Sequence, residues 1–481
     1  MSKLVTRFAP SPTGYIHIGN IRAALYPWLL YKQKAGSKFI LRIEDTDQSR
    51  FVEDATELIV SSLKWLGIDW NEGYEVGGTH GPYVQSDRKD IYKKYAQKLI
   101  DKGLAYADPY TQNELNNFRE QAKQAKQPFL YRNFRPKNSP DWDGSQPLRL
   151  KVVEPKRVNW YDPIMGELSA GPEAQDDFIL IKSDGLPTYN FAHVVDDHEM
   201  GVTLVMRGLE YISSIPKYLS LYEALEIEPP TLACMPHIMA PSGNKKLGKR
   251  DGAKSLTEYI KEGILPEAMM NFLALLGWND GTEQEIFTKN ELIAKFTLER
   301  VQRSGARFDE KRLLWMNGQW IKKITVDDLY TRCADFWPLA ASSADKHYKM
   351  QVLKVAQDRL KTLADLPSVT SFFFEEPKED RELITQNKQL AKFEPKQLAE
   401  LLDQSTRKLE NTEFNNLAIQ HSLNALLGLT SQKPAILFGI IRIALTWAQY
   451  SPDLPNSMVI LGKQETLARL KQSADYIRSN N

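Results

Sequence analysis

Cysteine is nearly absent from this sequence, since only Cys234 and Cys333 occur in 481 residues. Two cysteines cannot form a disulfide framework or a cysteine zinc site. The sequence also lacks an apolar signal core at its start, and no apolar run approaches the length needed to cross a bilayer. We therefore expect a cytoplasmic protein with no membrane partner.

An excess of charge of either sign is also missing. Lysine and arginine number 62 and aspartate and glutamate 61, which gives a net charge of +1. Because nucleic-acid binders usually carry a basic excess, any such surface here must be a local basic patch balanced by acidic faces elsewhere. The chain is 42% hydrophobic and 26% charged, as globular proteins are, and its 481 residues predict three or more domains.

A stretch rich in proline and glycine, residues 9–20, lies between an apolar run at residues 4–8 and a helical pattern from Ile21 to Tyr31. This order predicts a strand-to-helix crossing in an α/β sheet, where unpaired N–H groups and the helix dipole favour an anion. Gly14 and Gly19 would let a nucleotide approach the backbone, and His17 could donate to a phosphate oxygen. Alone, the pattern fits equally well an ordinary loop in which His17 makes a local cap.

A second stretch, residues 244–252, contains Lys246 and Lys249 and by itself would indicate a solvated loop. Together the two stretches resemble the paired signatures of class I aminoacyl-tRNA synthetases, written here His17-Ile18-Gly19-Asn20 and Lys246-Leu247-Gly248-Lys249-Arg250. Further runs resemble glutamyl-tRNA synthetases specifically, and they occur in family order at residues 7–14, 42–47, 186–191, 195–197, 206–208 and 314–318.

The resemblance implies a two-step ligase reaction. The α-carboxylate of glutamate attacks the α-phosphorus of ATP, pyrophosphate leaves, and the acyl group passes to the terminal ribose of tRNA(Glu). ATP with Mg²⁺ would be the substrate complex. No structural zinc is expected, because the run at residues 103–110, which carries cysteine in some relatives, has none here. The family expectation for the oligomeric state is a monomer.

Site residues follow from the resemblance position by position. Charge neutralisation during phosphoryl transfer is expected from His17, Lys246 and Lys249. Glutamate is expected to contact Arg7, Ala9, Ser11, Glu44, Tyr189, His193 and Arg207. ATP is expected to contact Gly14, His17, Gly19, Asn20, Glu210, Leu247 and Lys249.

The chemistry of these residue types agrees with those roles. A planar guanidinium, as in Arg7 and Arg207, grips a carboxylate through two donors, and Glu44 would hold the ammonium group. Without the resemblance, Glu44 could equally pair with Arg42. His193 stands where some relatives have asparagine and others an apolar residue, and we favour a core histidine over a substrate contact.

The implied fold is an α/β Rossmann-like catalytic domain, split into residues 1–85 and 186–255. An inserted α/β acceptor-binding domain would occupy residues 86–185 and a stem-contact domain residues 256–322. An all-α anticodon-binding region would follow at 323–481, with a break near 380 if it has two subdomains. Local patterns predict strands at 4–8, 38–44, 188–195 and 202–207 and helices at 20–35 and 54–66.

Three alternatives stay open beside a ligase specific for tRNA(Glu). A non-discriminating enzyme would also charge tRNA(Gln), and the residues that would read the anticodon are not identifiable from one sequence. A synthetase-like RNA-binding protein without catalysis would have lost site residues, whereas the expected set is retained here. A related glutamyl transferase that modifies a tRNA base lacks an anticodon-binding region, but this chain continues far beyond Trp320.

Overall fold

The structure is a computed structural model that describes residues 3–14, 16–248, 254–448 and 450–479. The chain forms two compact units. The first comprises Met1–Glu258 and Met269–Asp309, and the second comprises Tyr259–Ala268 and Glu310–Asn481. Each unit is described below by itself.

The first unit is built on a five-stranded parallel sheet with the strand order β10-β9-β1-β2-β3. These strands are β1 (Val5–Phe8), β2 (Lys38–Leu41), β3 (Glu72–Gly73), β9 (Leu204–Gly208) and β10 (Thr231–Met235). Apart from β3, their largely apolar sequences are buried almost throughout, as expected where helices cover both faces of a parallel sheet. The strand order turns back between β1 and β9, and ligands of such sheets bind at that point.

Helices α1 (Ile18–Gln33), α2 (Ala55–Trp65), α5 (Tyr189–Glu199) and α6 (Ile215–Leu225) accompany this sheet. The strand-to-helix crossing predicted at residues 9–20 is confirmed, since β1 leads directly into α1. The second predicted strand ends three residues early, at Leu41. Pro27 lies inside α1, and the helix continues through it.

The strand predicted at residues 188–195 is wrong, because these residues begin α5. The run from Phe191 to Val195 is apolar except for His193, and a buried helix cannot be distinguished from a buried strand by such a run. Helix α5 is buried from Phe191 to Asp197, so it shows no exposed polar face that would reveal its period. The extended backbone of Thr188 after Pro187 provides the helix start.

Residues 86–185 form further elements of the first unit. A three-stranded antiparallel sheet contains β4 (Ala105–Ala107), β5 (Leu148–Leu150) and β8 (Ile179–Ile181). A hairpin pairs β6 (Val158–Asp162) with β7 (Gly166–Ala170), and the helices are α3 (Lys89–Asp101) and α4 (Gln112–Gln124). This second sheet is separate from the parallel one, so the chain leaves the parallel sheet after β3 and returns to it at β9.

The remaining elements up to residue 309 are β11 (Ile238–Met239), α7 (Leu256–Lys261), α8 (Pro266–Leu275), α9 (Lys289–Lys295) and β12 (Ala306–Arg307). Strands β11 and β12 pair in parallel. Pro266 occupies the first position of α8, where its missing N–H costs no helical hydrogen bond.

The second unit is helical in its described residues. Its helices are α10 (Glu310–Lys323), α11 (Val326–Arg332), α12 (Lys346–Ala356), α13 (Leu366–Thr370), α14 (Glu382–Thr385), α15 (Pro395–Glu410), α16 (Asn416–Thr430), α17 (Pro434–Thr446), α18 (Leu454–Leu461) and α19 (Lys463–Ser479). Helical spacing in the sequence predicts one buried face made of Ile436, Leu437, Ile440, Ile441, Ala444 and Ala448. Helix α17 confirms it for all of these except Ala448. Ala448 lies beyond the helix, which ends where Trp447 adopts a left-handed conformation.

The helices of the described residues include no candidate membrane span. None of them combines the length and the apolar character that a membrane span requires.

Candidate active site

A cavity of about 880 Å³ opens at the carboxyl ends of β1, β9 and β10. It brings together most of the residues that the sequence predicted to bind substrates: Arg7, Ala9, Ser11, His17, Gly19, Asn20, Glu44, Tyr189, Arg207, Glu210, Lys246 and Leu247. Of the predicted residues that the structure describes, Gly14 and His193 are not part of the lining. Lys249 lies outside the described residues.

His17 forms the N-cap of α1. Its Nδ1 accepts a hydrogen bond from the Gly19 N–H at 3.0 Å, and the Asn20 Oδ1 accepts one from the His17 N–H at 3.4 Å. Because Nδ1 is an acceptor, the proton of the neutral ring resides on Nε2. The local cap that the sequence allowed is therefore present, and it fixes the tautomer in which Nε2 is the donor.

Gly19 leaves room for the ring of His17. A Cβ atom at position 19 would lie 2.9 Å from Cε1 and 3.0 Å from Nδ1 of His17, closer than such atoms approach in proteins. The sequence suggested only that this glycine lets a nucleotide approach the backbone. The structure adds that it lets the imidazole fold back over the first turn of α1.

Lys246 forms an ion pair with Glu210, with 2.9 Å between Nζ and Oε1. Both side chains are about half exposed, and His237 lies 3.5 Å from the other oxygen of Glu210. Burial alone would raise the pKa of Glu210, but the hydrogen bond from Lys246 lowers it below its ordinary value. The carboxylate therefore holds the lysine at the edge of the cavity.

The lysine stretch is joined to the first motif through the backbone. The Leu247 N–H donates to the Ile238 carbonyl at 2.8 Å, which fastens the stretch to β11. Ser255 then pairs with His17 in an isolated antiparallel bridge. The two signature stretches, far apart in sequence, thus meet at one cavity.

A buried network of ion pairs adjoins the other side of the site. Arg42 is at its centre and contacts Glu44 at 2.8 Å, Asp197 at 2.9 Å and Asp196 at 3.6 Å. Arg88 adds a second cation, 2.7 Å from Asp196. All these side chains are buried, and breaking such a pair would leave an uncompensated charge in the interior.

Arg7 belongs to this network. Its Nε and Nη2 donate to the two carboxylate oxygens of Asp197 at 3.1 and 3.3 Å. Burial alone would raise the pKa of Asp197, but Arg7 and Arg42 hold it well below its usual range. The charge of Arg7 is therefore already balanced within the protein.

Arg207 differs from the other three arginines. Its side chain is buried, yet no carboxylate of the described residues forms an ion pair with it, and its Nε and Nη1 have no hydrogen-bond partner. The guanidinium lies 5.1 Å from the ring centroids of both Tyr211 and Tyr218. Since Arg7, Arg42 and Arg88 face three carboxylates, Arg207 carries a positive charge that the buried network does not neutralise.

Sequence reasoning named Arg42 only as an alternative partner of Glu44, a pair that the structure contains. It assigned no role to Asp196 or Asp197, although both stand in a run that carries the resemblance. Two adjacent carboxylates after the largely apolar run from Phe191 to Val195 are a detectable signal, because buried acids need cationic partners. Lys182 was also missed. It lines the cavity and donates to the Thr46 carbonyl at 3.1 Å, and no pattern in the sequence indicates this contact.

A helix start and a lysine stretch at the carboxyl edge of a parallel sheet are the features of a nucleotide-binding α/β catalytic domain. The chain belongs to the family of tRNA synthetases class I (E and Q), whose catalytic-domain model matches residues 3–315. Residues 328–474 match a model described as an anticodon binding domain. Membership of this family implies a ligase that uses ATP as a substrate.

Individual relatives extend over nearly the whole chain. A glutamate–tRNA ligase of Dehalococcoides mccartyi is 39% identical over 470 residues, 96% of each chain. One of Clostridium tetani is 38% identical over 490 residues, 99% of each chain. The crystal structure of a glutamate tRNA ligase from Elizabethkingia meningosepticum, in complex with its amino acid, is 30% identical with a TM-score of 0.85, covering 99% of this chain and 100% of that one.

Proposed function

We propose that this protein is a glutamate–tRNA ligase that activates L-glutamate with ATP and transfers it to the 3′ end of tRNA(Glu). The observation that carries the proposal is Arg207, a buried and uncompensated cation lining the same cavity as Glu44, His17 and Lys246. Relatives at 38–39% identity with this name support it.

The charges of the cavity suit glutamate. The guanidinium of Arg207, two of whose nitrogens have no hydrogen-bond partner, would receive the side-chain carboxylate. Glu44 would receive the ammonium group, and because burial raises the pKa of Glu44, its carboxylate gains from a cationic neighbour. Arg7 is already paired with Asp197, so it would help to hold the neighbouring side chains in place and would not supply the positive charge for the substrate.

The same charges select against other amino acids. Glutamine would present amide N–H groups to Arg207, which is itself only a donor. Aspartate keeps the carboxylate but is one methylene shorter, a difference worth about 1–3 kcal/mol. The filter against glutamine is therefore electrostatic, and the filter against aspartate depends on fit.

The adenylation step needs charge stabilisation at the phosphates more than a covalent partner. His17 would donate from Nε2, and Lys246 would exchange its ion pair with Glu210 for a phosphate oxygen. The resemblance adds Lys249 as a third group that would stabilise charge on the phosphates. Mg²⁺ enters with ATP as part of the substrate, and no residue of the chain is assigned to it here.

The tRNA is assigned to regions outside this cavity. Residues 86–185 would bind the acceptor end, residues 256–322 would contact the stem, and residues 323–481 would bind the anticodon. The match of residues 328–474 to an anticodon binding domain supports the last assignment. The monomeric state and the cytoplasmic location stay predictions, as does the choice between tRNA(Glu) alone and tRNA(Glu) with tRNA(Gln).

Glutamate-dependent exchange of pyrophosphate into ATP, measured with and without tRNA, tests the proposal. We expect exchange by the wild-type protein and a loss of about 10²-fold in Lys246→Ala, the typical effect of removing one preorganised donor. Lys64→Ala is the matched control, because Lys64 is an exposed lysine on α2 outside the cavity. An absence of exchange in the wild type, with tRNA still bound, would contradict the proposal.

A further inference from the structure

We propose that His193 is a positioning residue that keeps Arg207 free for the substrate carboxylate by interposing an uncharged ring between Arg207 and Asp197. This inference rests on the proposed function, because it concerns the cation that would bind the glutamate side chain. It differs from the substrate contact that the resemblance implies for this position, since His193 is not part of the cavity lining.

The distances define the arrangement. The Nδ1 of His193 lies 3.4 Å from the Arg207 Nη2 and 3.7 Å from the Asp197 Oδ2. Asp197 and Arg207 form no ion pair with each other within the described part of the chain, although both adjoin the same ring nitrogen. The imidazole therefore stands where a direct contact between carboxylate and guanidinium would otherwise form.

The ring is held firmly in this place. His193 is 1% exposed, and its ring lies 4.4 Å from that of Tyr218, edge to face, and 5.0 Å from that of Tyr189. One turn of α5 separates it from Asp197, which fixes the spacing of the two side chains. The ring is therefore packed between two aromatic side chains.

The charge state of the ring suits this role. Burial, and after it the positive charge of Arg207, lowers the pKa of His193 to about 3. The ring is thus uncharged at neutral pH and neither repels nor neutralises the guanidinium. Asp197 meanwhile is shared by Arg7 and Arg42, and Arg207, although close to both, pairs with no carboxylate of the described residues.

Three variants test the inference through separate Michaelis constants for glutamate and ATP in aminoacylation. His193→Ala removes the ring and lets Asp197 and water reach Arg207. We expect the KM for glutamate to rise about tenfold, the scale of one weakened charge-assisted hydrogen bond. The KM for ATP should stay within about twofold, since the nucleotide end keeps its contacts. Glutamine should compete with glutamate more effectively in His193→Ala than in the wild type.

His193→Phe restores an uncharged ring of similar size without a nitrogen, and it should recover most of the lost glutamate affinity. If it behaves like His193→Ala, the ring nitrogen itself is required and the spacer role is wrong. Should His193→Ala fail to fold, as shown by its thermal unfolding, His193→Phe decides by the same criterion. His198→Ala is the matched control, an exposed histidine of the same helix.

Two further outcomes would overturn the inference. An unchanged KM for glutamate in His193→Ala would show that Arg207 needs no spacer. Equal increases in both Michaelis constants would indicate general damage to the fold. The proposed function is tested separately, because its failure would appear as missing glutamate-dependent exchange in the wild-type protein.

Discussion

The end of the cavity proposed to bind glutamate, around Glu44 and Arg207, and the end proposed to bind the nucleotide, around His17 and Lys246, hold their charges in different ways. At the glutamate end, Arg42 and Asp197 are fully buried, and each contacts more than one partner. At the nucleotide end, Lys246 and Glu210 have exposed fractions of 52% and 44%. Ion pairs between the same kinds of group therefore occur both in the protein interior and at the rim of the cavity.

Because of this difference, the buried pairs matter for the stability of the fold, whereas the exposed pair is available for the chemistry of the site. Buried pairs are strong and costly to break, so the glutamate end is fixed when the first unit folds. An exposed pair contributes little to stability, and its cation can exchange partners at small cost. We infer that selection of the amino acid depends on a rigid site, whereas phosphate binding uses charges that can be released.

The largest expected effect concerns the folding of the first unit. Arg42→Ala should lower its free energy of unfolding by about 3–5 kcal/mol, because Glu44 and Asp197 would stay buried without their shared cation. Arg50→Ala, which removes an exposed arginine paired with Asp47, should cost about 0–1 kcal/mol. Urea unfolding followed by a probe in this unit measures both. Equal costs would contradict the contrast between buried and exposed pairs.

Arg207→Ala should separate binding from stability within the buried end. We expect the KM for glutamate to rise about 10²-fold, the scale of two lost charge-assisted hydrogen bonds. Its cost in unfolding free energy should be well below that of Arg42→Ala, because no carboxylate loses its partner. Steady-state kinetics and urea unfolding of the same preparation measure the two effects. A destabilisation as large as that of Arg42→Ala would indicate that Arg207 has an internal counter-ion.

Gly19→Ala should affect the nucleotide end alone. The added Cβ displaces the ring of His17, so kcat for aminoacylation should fall roughly tenfold, as a misplaced donor predicts. Glutamate binding should be unchanged, since no residue of the buried network is touched. Gly428→Ala, at a helical glycine with open space around it, is the control. Unimpaired kcat in Gly19→Ala would show that the position of His17 is not critical.

The smallest expected effect is a pH dependence from His193. The unfolded chain takes up a proton near pH 6.5, whereas burial and Arg207 lower the pKa in the folded protein to about 3. Stability therefore falls as the pH falls from 6.5 towards 3, by about 1 kcal/mol between pH 6.5 and 5.5. His193→Phe should remove this part of the slope. Identical pH profiles of wild type and variant would contradict it.

Local signals in the sequence sufficed for the region around the first motif. An apolar run, a loop rich in proline and glycine and a helical pattern predicted β1, the crossing and α1. The same reasoning was wrong at residues 188–195, where α5 is buried from Phe191 to Asp197 and so lacks an amphipathic pattern. The spacing of apolar and polar residues identifies a helix or strand only when one of its faces is exposed to solvent.

The sequence by itself determined which residue types are present for the chemistry, and the resemblance predicted that His17, Glu44, Arg207 and Lys246 belong to one site. The tertiary structure decided which of the two arginines predicted to bind glutamate pairs with a carboxylate of the protein and which does not. Arg7 and Arg207 have the same chemistry, but Arg7 binds Asp197 while Arg207 faces tyrosine rings and a histidine. Pairing of buried charges depends on distances across separate strands and helices, which no local pattern contains.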